Sequence, residues 1–434
     1  MRRSTLLAFL AVAACVPSSG RGESPAPAPR SVTAEEKRQA LAEPVRLVRT
    51  RYAVAETGEQ AAAMLERKAA AGAYDGLGDA GAFGEAVTHD LRLVTRDKHL
   101  KFGFSPQEPA ATPSKGADAE RTLQAAEMRR GSFGIPRAEI LPGNVGLLGV
   151  RRFQPPEAAG DTIAAAVALL AHSDAAIIDL RNCRGGSAWV MPIFTAYFLP
   201  RATSLYTMVF RGSGSTERFW SASWVPGEKL ASVPLHILTS GYTFSGAEAL
   251  AYRFQVLRRA VIVGETTGGG ANAGGVVDAG PPFKVWLPMG RPVDADTATN
   301  WEGTGVVPDV RSSARDALAV AHVAALERLR AEAASDRDRA GLDAALEGAR
   351  SAIHPVVPSV SELDALAGTF GACRVWVEGG QLRVQRENEA PFLLEPLSAS
   401  VFVSDTARPV RVEFVHGVLL FTDEDGIRAE YGRS

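Results

Sequence analysis

Cysteine is nearly missing from this chain. Of 434 residues only Cys15, Cys183 and Cys373 are cysteines. Cys15 falls in a leader segment, and the other two lie far apart, in segments that read as different domains. Two lone thiols form no disulfide framework, and neither has the spacing of a zinc site. No structural metal and no cofactor is therefore expected. The apolar run at the start, Leu6 to Ala14, is about nine residues long, whereas a membrane-spanning helix needs about twenty. An excess of one charge is also missing. With 47 basic and 49 acidic residues the net charge is −2, so no global basic field argues for a nucleic-acid partner. The glycine-rich stretch Gly264-Glu-Thr-Thr-Gly-Gly-Gly270 lacks both Walker spacing and a following lysine, which argues against a nucleotide site. There is no internal repeat.

What is present fits a globular protein of two or three domains, with 46% apolar and 22% charged residues. A short positive segment, the apolar run and Val12-Ala-Ala-Cys15 read as an export signal whose cleavage leaves Cys15 as a lipidated N-terminus; simple cleavage further on is the alternative. The proline-rich stretch that follows reads as an extended tether. Between Thr33 and Asp97 apolar residues recur at helical steps, as in Leu41, Val45, Val48 and Tyr52, which predicts three helices. Ser105 to Ala119 reads as a surface connection.

From Phe133 onward short apolar runs alternate with helical stretches. Val145–Val150, Ala175–Leu180, Val233–Leu238 and Ala260–Gly264 read as buried strands of a mostly parallel α/β sheet. Such sheets carry ligands at the carboxyl ends of their strands. Arg181–Gly186, Ser245 and Glu265–Gly270 all follow strand ends, so one cleft can collect them. Ala314–Ala352 reads as helical. Beyond Pro358, alternating segments such as Cys373–Val377 and Val410–Phe414 predict a small all-β domain.

Ser245 stands between the strand Val233–Leu238 and a helical stretch from Ala247 to Arg258. A serine there is either an N-cap or a nucleophile beside the unpaired first N–H groups and positive end of a helix. A hydroxyl nucleophile needs a base, an orienting group and oxyanion donors. Of the seven histidines, His99 is set apart by position, because it leaves a helix and enters the strand-like Leu100-Lys-Phe-Gly-Phe104. His236 lies inside an apolar strand and reads as structural.

Four segments in order carry a resemblance. They are Ile178-Asp-Leu-Arg-Asn with Gly185-Gly186, Thr243-Phe-Ser-Gly-Ala-Glu248, Val263-Gly-Glu-Thr-Thr-Gly-Gly-Gly270 and Asn300-Trp-Glu-Gly-Thr-Gly-Val-Val-Pro-Asp309. Together they resemble the S41 peptidases, a family that includes tail-specific processing proteases, the tricorn core protease and interphotoreceptor retinoid-binding protein modules. Thr95-Arg-Asp-Lys-His-Leu100, after the helices, resembles the N-terminal region of the last group. The resemblance implies a multidomain α/β protein: an N-terminal helical bundle, a mostly parallel, crotonase-like core of the ClpP/S41 type, and a C-terminal small all-β domain. The expected division is a signal peptide with lipobox at 1–15, a linker at 16–32, a helical domain at 33–115, the peptidase core at 116–335, a helical linker at 336–357 and the β domain at 358–434.

The resemblance also implies roles. Ser245 becomes the nucleophile, and the N–H groups of Gly246 and Gly186 the oxyanion hole. Processing proteases place a basic lysine where this chain has Gly270, so a Ser–Lys dyad of that kind is excluded. The tricorn-like branch uses a histidine and a glutamate, matched by His99 and Glu302. That branch links them through a serine where this chain has Lys98, which leaves the route from Glu302 to His99 open. No PDZ-like or propeller sequence is evident between residues 105 and 145. The expectation is an exported serine peptidase acting on peptides or proteins, with membrane contact only through the anchor. A carrier of apolar ligands on the same fold and an esterase using the same serine are the alternatives.

Overall fold

The structure is a computed structural model that describes residues 31–105, 115–280, 282–353, 355–386, 389–406, 410–423 and 427–434. The leader and the lipidation expected at Cys15 lie outside the described residues. The chain divides into two compact units, one holding residues up to 140 and 146–314, the other 141–145 with 315–434.

The first unit begins with three helices, α1 (Ala34–Arg51), α2 (Ala55–Ala70) and α3 (Ala80–Thr95), and strand β1 (Lys101–Phe104). Thr33 and Glu36 cap α1 reciprocally, and Asp79 accepts the Ala82 N–H at the start of α3. After α4 (Lys115–Arg130) come β2 (Arg137–Leu141), β3 (Val145–Gly149), α5 (Pro156–Leu169), β4 (Ala175–Asp179), α6 (Met191–Ala196), β5 (Ser204–Phe210) and β6 (Thr216–Trp220). They are followed by β7 (Leu235–Thr239), α7 (Gly246–Val256), β8 (Val261–Gly264), β9 (Ala273–Asp278), β10 (Phe283–Asp294) and β11 (Val310–Arg311).

Two sheets result. One has the order β11-β8-β7-β4-β3-β2, and its β4, β7, β8 and β11 run parallel. Its central strands are buried on both faces: every residue of β7 is buried, and so are the first four of β4. The parallel core expected from the sequence is this sheet. The other sheet was not read from the sequence. It has the order β1-β10-β5-β6, with β9 also on β10, and its pairings are antiparallel.

The N-terminal helices are tied to this second sheet by aromatic packing. Phe83 of α3 meets Tyr74, Phe102 and Phe283 edge-on, at centroid distances of 5.8, 5.7 and 5.4 Å. Each such pair contributes about 0.5–1.5 kcal/mol beyond its buried area. Thr88 of α3 exchanges hydrogen bonds with the Phe102 backbone, donating to its carbonyl at 2.8 Å and accepting its N–H at 2.9 Å. Helix α3 and strand β1 are therefore fixed to each other on either side of His99.

The second unit holds α8 (Ala317–Glu332), α9 (Asp336–Ile353), α10 (Val360–Leu366) and eight strands: β12 (Gly368–Phe370), β13 (Cys373–Glu378), β14 (Gln381–Arg386), β15 (Phe392–Pro396), β16 (Val401–Ser404), β17 (Arg411–Val415), β18 (Val418–Thr422) and β19 (Arg428–Gly432). The strands pair in sequence order, all antiparallel. A bridge between Phe370 and Arg433 joins the first strand to the end of the last, which closes the sheet and removes its free edges. Phe370, Val384, Phe402, Val412 and Leu419 fill the interior.

Candidate active site

Ser245 lies between β7 and α7 with φ +57° and ψ −122°. An N-cap residue ordinarily has extended backbone, and a serine at positive φ costs on the order of 1–3 kcal/mol. Glu248 holds this turn. Its fully buried carboxylate accepts the Ser245 N–H at 2.7 Å, the Thr267 hydroxyl at 2.5 Å and the N–H groups of Gly269 and Gly270 at 2.6 and 2.9 Å. Burial raises its pKa against the pull of these donors. One acid thus ties the serine turn to the glycine-rich loop. In the sequence Glu248 stands within a motif with nothing local to mark this role.

The glycines in these loops are required by contact. A Cβ at Gly270 would lie 2.1 Å from the Phe244 ring, and one at Gly268 would lie 2.7 Å from it. Phe244 therefore fills the space that any side chain at position 270 would need. Gly185 and Gly186 follow β4 at φ +82° and +142°. A Cβ at Gly185 would stand 2.5 Å from the Gly246 nitrogen, and one at Gly186 would stand 2.1 Å from the Phe153 carbonyl oxygen. The two backbones consequently touch, and a Cβ built on Gly246 would be 3.5 Å from the Gly186 nitrogen. Among the described residues neither the Gly186 nor the Gly246 N–H donates to a backbone or side-chain acceptor.

His99 enters from the other sheet. Helix α3 ends at Arg96, which is left-handed at φ +55°, and the chain turns back through Asp97 into β1. Arg92 clamps that turn by donating to the carbonyls of Lys98 and Leu100 at 2.7 and 2.8 Å. The imidazole is 11% exposed. It lies between Phe244, 4.5 Å away between centroids, and Trp286 of β10, stacked at 4.9 Å. Phe244 is the residue before Ser245, so the histidine rests on the turn that carries Ser245. Burial, helped by the positive charges of Arg184 and Arg92, lowers its pKa to about 4. Lys98 does not stand between His99 and Glu302; its ammonium donates to the Gly268 carbonyl at 2.6 Å, pinning the histidine turn to the glycine loop.

Two carboxylates flank the imidazole. One oxygen of Asp97, one oxygen of Glu302 and one ring nitrogen of His99 all lie within 4.8 Å of one another. Glu302 Oε2 accepts the N–H groups of Ala271 and Asn272 at 2.6 and 2.8 Å, while its Oε1 and His99 Nδ1 are buried without a partner among the described residues. Burial and the neighbouring Asp97 raise the Glu302 pKa to about 7. Asp97 was not foreseen, although it sits two residues before the candidate base. It is fully buried and accepts Tyr52 Oη at 3.1 Å, Asn272 Nδ2 at 3.0 Å and the His99 N–H at 2.9 Å. Its Oδ1 is 3.7 Å from His99 Nδ1. Its own pKa is raised by burial. These three residues are also the only set of candidate metal ligands among the described residues, and an ion held there would take the imidazole out of acid–base work.

Comparison with known proteins decides the family. Residues 144–312 match the sequence profile of peptidase family S41, and residues 21–132 match the N-terminal domain of Peptidase_S41 in eukaryotic IRBP. The chain belongs to peptidase family S41. Solved structures similar to this member include a putative peptidase from Parabacteroides merdae, 15% identical, covering 70% of this chain and 100% of its own, at TM-score 0.49. A lipoprotein from Streptococcus agalactiae is 16% identical, with coverages of 68% and 97% and a TM-score of 0.45. The photosystem II D1 C-terminal processing protease is 15% identical, with coverages of 64% and 93% and a TM-score of 0.40. Residues 315–434 of the second unit lie beyond both profile matches.

Proposed function

We propose that this S41 peptidase cleaves peptide bonds with Ser245 as nucleophile, His99 as base, Glu302 as the acid that steadies the imidazolium, and the N–H groups of Gly186 and Gly246 as the oxyanion hole. The observation that carries the reading is the seat of His99: its ring lies against Phe244, next to Ser245, with the buried Asp97 carboxylate 3.7 Å from Nδ1 and a Glu302 oxygen within 4.8 Å of a ring nitrogen. At neutral pH the imidazole is unprotonated and able to accept the serine proton. The proton then passes to the leaving amine. As positive charge appears on the ring, Asp97 stabilises it from the Nδ1 side and Glu302 from within 4.8 Å of a ring nitrogen. Asp97 also positions the turn by accepting the His99 N–H, and we assign it as a second acid of the site. Backbone donors aimed at the developing oxyanion act in a partly water-free place where they are most effective.

This arrangement favours an enzyme over a carrier, because a ligand carrier has no use for unpaired amides beside a strained serine. Export and a lipid anchor at Cys15 belong to the same proposal and rest on the leader sequence alone. Among the described residues no helix is long and apolar enough to cross a membrane. The test is Ser245→Ala. We expect hydrolysis of casein-derived fluorogenic peptides to fall by about 10⁴-fold or more, with an unchanged circular dichroism spectrum. Unchanged turnover in protein of verified mass rejects the assignment.

A further inference from the structure

Arg184 stands one residue before the glycine pair, and its charge is unanswered. It is exposed. Its guanidinium lies over the rings of Tyr242 and Phe244, at 4.9 and 5.1 Å from their centroids. Among the described residues it makes no ion pair and no hydrogen bond. The neighbouring cations are all engaged. Arg181 binds Asp179 and the Ala314 carbonyl, Arg92 clamps the histidine turn, and Lys98 binds the Gly268 carbonyl. Glu265, the acid at the mouth of the same strand ends, is occupied by the N–H groups of Gly241 and Ala314.

The place of this charge matters more than its presence. The Phe244 ring that carries the guanidinium also carries the His99 imidazole, at 4.5 Å. Phe244 is joined directly to Ser245. The guanidinium carbon lies over two aromatic rings, and its N–H groups have no acceptor among the described residues, an arrangement suited to a planar carboxylate. We propose that Arg184 anchors a carboxylate of the substrate, an acidic side chain or a free chain end, close to the scissile bond. An extended peptide advances about 3.3–3.6 Å per residue, so the anchored group belongs to a residue within about two positions of that bond. This inference rests on the peptidase reading and names the substrate class for the same site. Binding also feeds back on the base: a carboxylate on Arg184 cancels one of the positive charges that hold the His99 pKa down.

The experiment uses paired peptides on the full protein. One pair differs by Glu against Gln near the cleaved bond, with amidated ends. The other differs by a free against an amidated C-terminus. In the wild type the anionic member of one pair should show a kcat/KM about tenfold or more above its neutral partner, as a hydrogen-bonded charge pair supplies. The pair showing the preference identifies the source of the carboxylate. Arg184→Gln should bring that ratio to about one, and Arg184→Lys should retain part of it. A ratio near one in both wild-type pairs, or a ratio that survives Arg184→Gln, overturns the proposal. If the wild type cleaves none of these peptides, the peptidase reading is what fails. The same pairs are then titrated calorimetrically into Ser245→Ala protein, where Arg184-dependent tighter binding of the anionic member upholds the anchor. Equal or undetectable binding refutes it.

Discussion

The two halves of the proposed site, a nucleophile half and a base half, are built in opposite ways. The nucleophile half is backbone: a serine at positive φ, two glycine turns pressed together and amide donors left over. One carboxylate, Glu248, braces it with four accepted hydrogen bonds. The base half is side chain: an imidazole and two acids, carried by the α3–β1 turn and the loop before β11, with little bonding among themselves. Its key atoms, His99 Nδ1 and Glu302 Oε1, are buried without partners. Buried polar groups left unpaired cost stability. In the nucleophile half the braced serine turn leaves its two glycine amides free for a ligand, whereas in the base half it is side-chain atoms that are left unpaired.

That contrast is sharpest if each half is damaged separately. In the nucleophile half, Gly186→Ala puts a Cβ against the Phe153 carbonyl at a φ of +142°. It should displace one oxyanion donor and lower kcat by about 10²–10³, with KM changed far less. Steady-state kinetics on a single peptide checks this. In the base half, Glu302→Gln should lower activity and yet raise stability. The sign follows from linkage. The folded pKa is raised to about 7 from 4.5, so the stability that Glu302 contributes is complete below about pH 4.5 and is lost as pH rises through about 7. Above pH 7 the glutamine variant should therefore be the more stable by up to about 3 kcal/mol, and near pH 4 the two proteins should melt together. Thermal melts at pH 4 and pH 8 decide it.

The smallest effect concerns Asp97. Its charge helps to hold the Glu302 pKa up. Asp97→Asn should shift the step in the pH profile of kcat/KM near pH 7 to lower pH, in addition to any loss of rate. A step that stays in place would mean that the two acids titrate independently.

The same contrast explains what the sequence revealed. The placement of Ser245, Gly186 and Gly246 was legible because each lies where a strand stops beside a helix start or a glycine pair, a pattern contained in a few consecutive residues. His99 stood out by its junction. Asp97 did not, because nothing in Thr95-Arg-Asp-Lys-His tells a fully buried carboxylate from a solvated one. Its value comes from Tyr52 and Asn272, which lie 45 and 175 residues away. The parallel sheet was readable from its continuous apolar runs, and the closed β domain from alternation with glycine turns. The antiparallel second sheet was not read. Pro288, Gly290 and Pro292 interrupt β10, and a register shift falls at Pro288–Gly290. Prolines in a strand argue locally against one. Only pairing on both sides reveals β10, and that sheet is what carries Trp286 to His99.

The central claim is that His99 activates Ser245. Reaction with a fluorophosphonate, read by mass spectrometry of the tryptic peptides, tests it most directly. The account predicts a single adduct on Ser245, formed at a rate that rises with pH as the imidazole loses its proton, and falling by at least about 10²-fold in His99→Ala. Labelling of Ser245 at the same rate with and without the imidazole, or no labelling of Ser245 in the wild type, would contradict it.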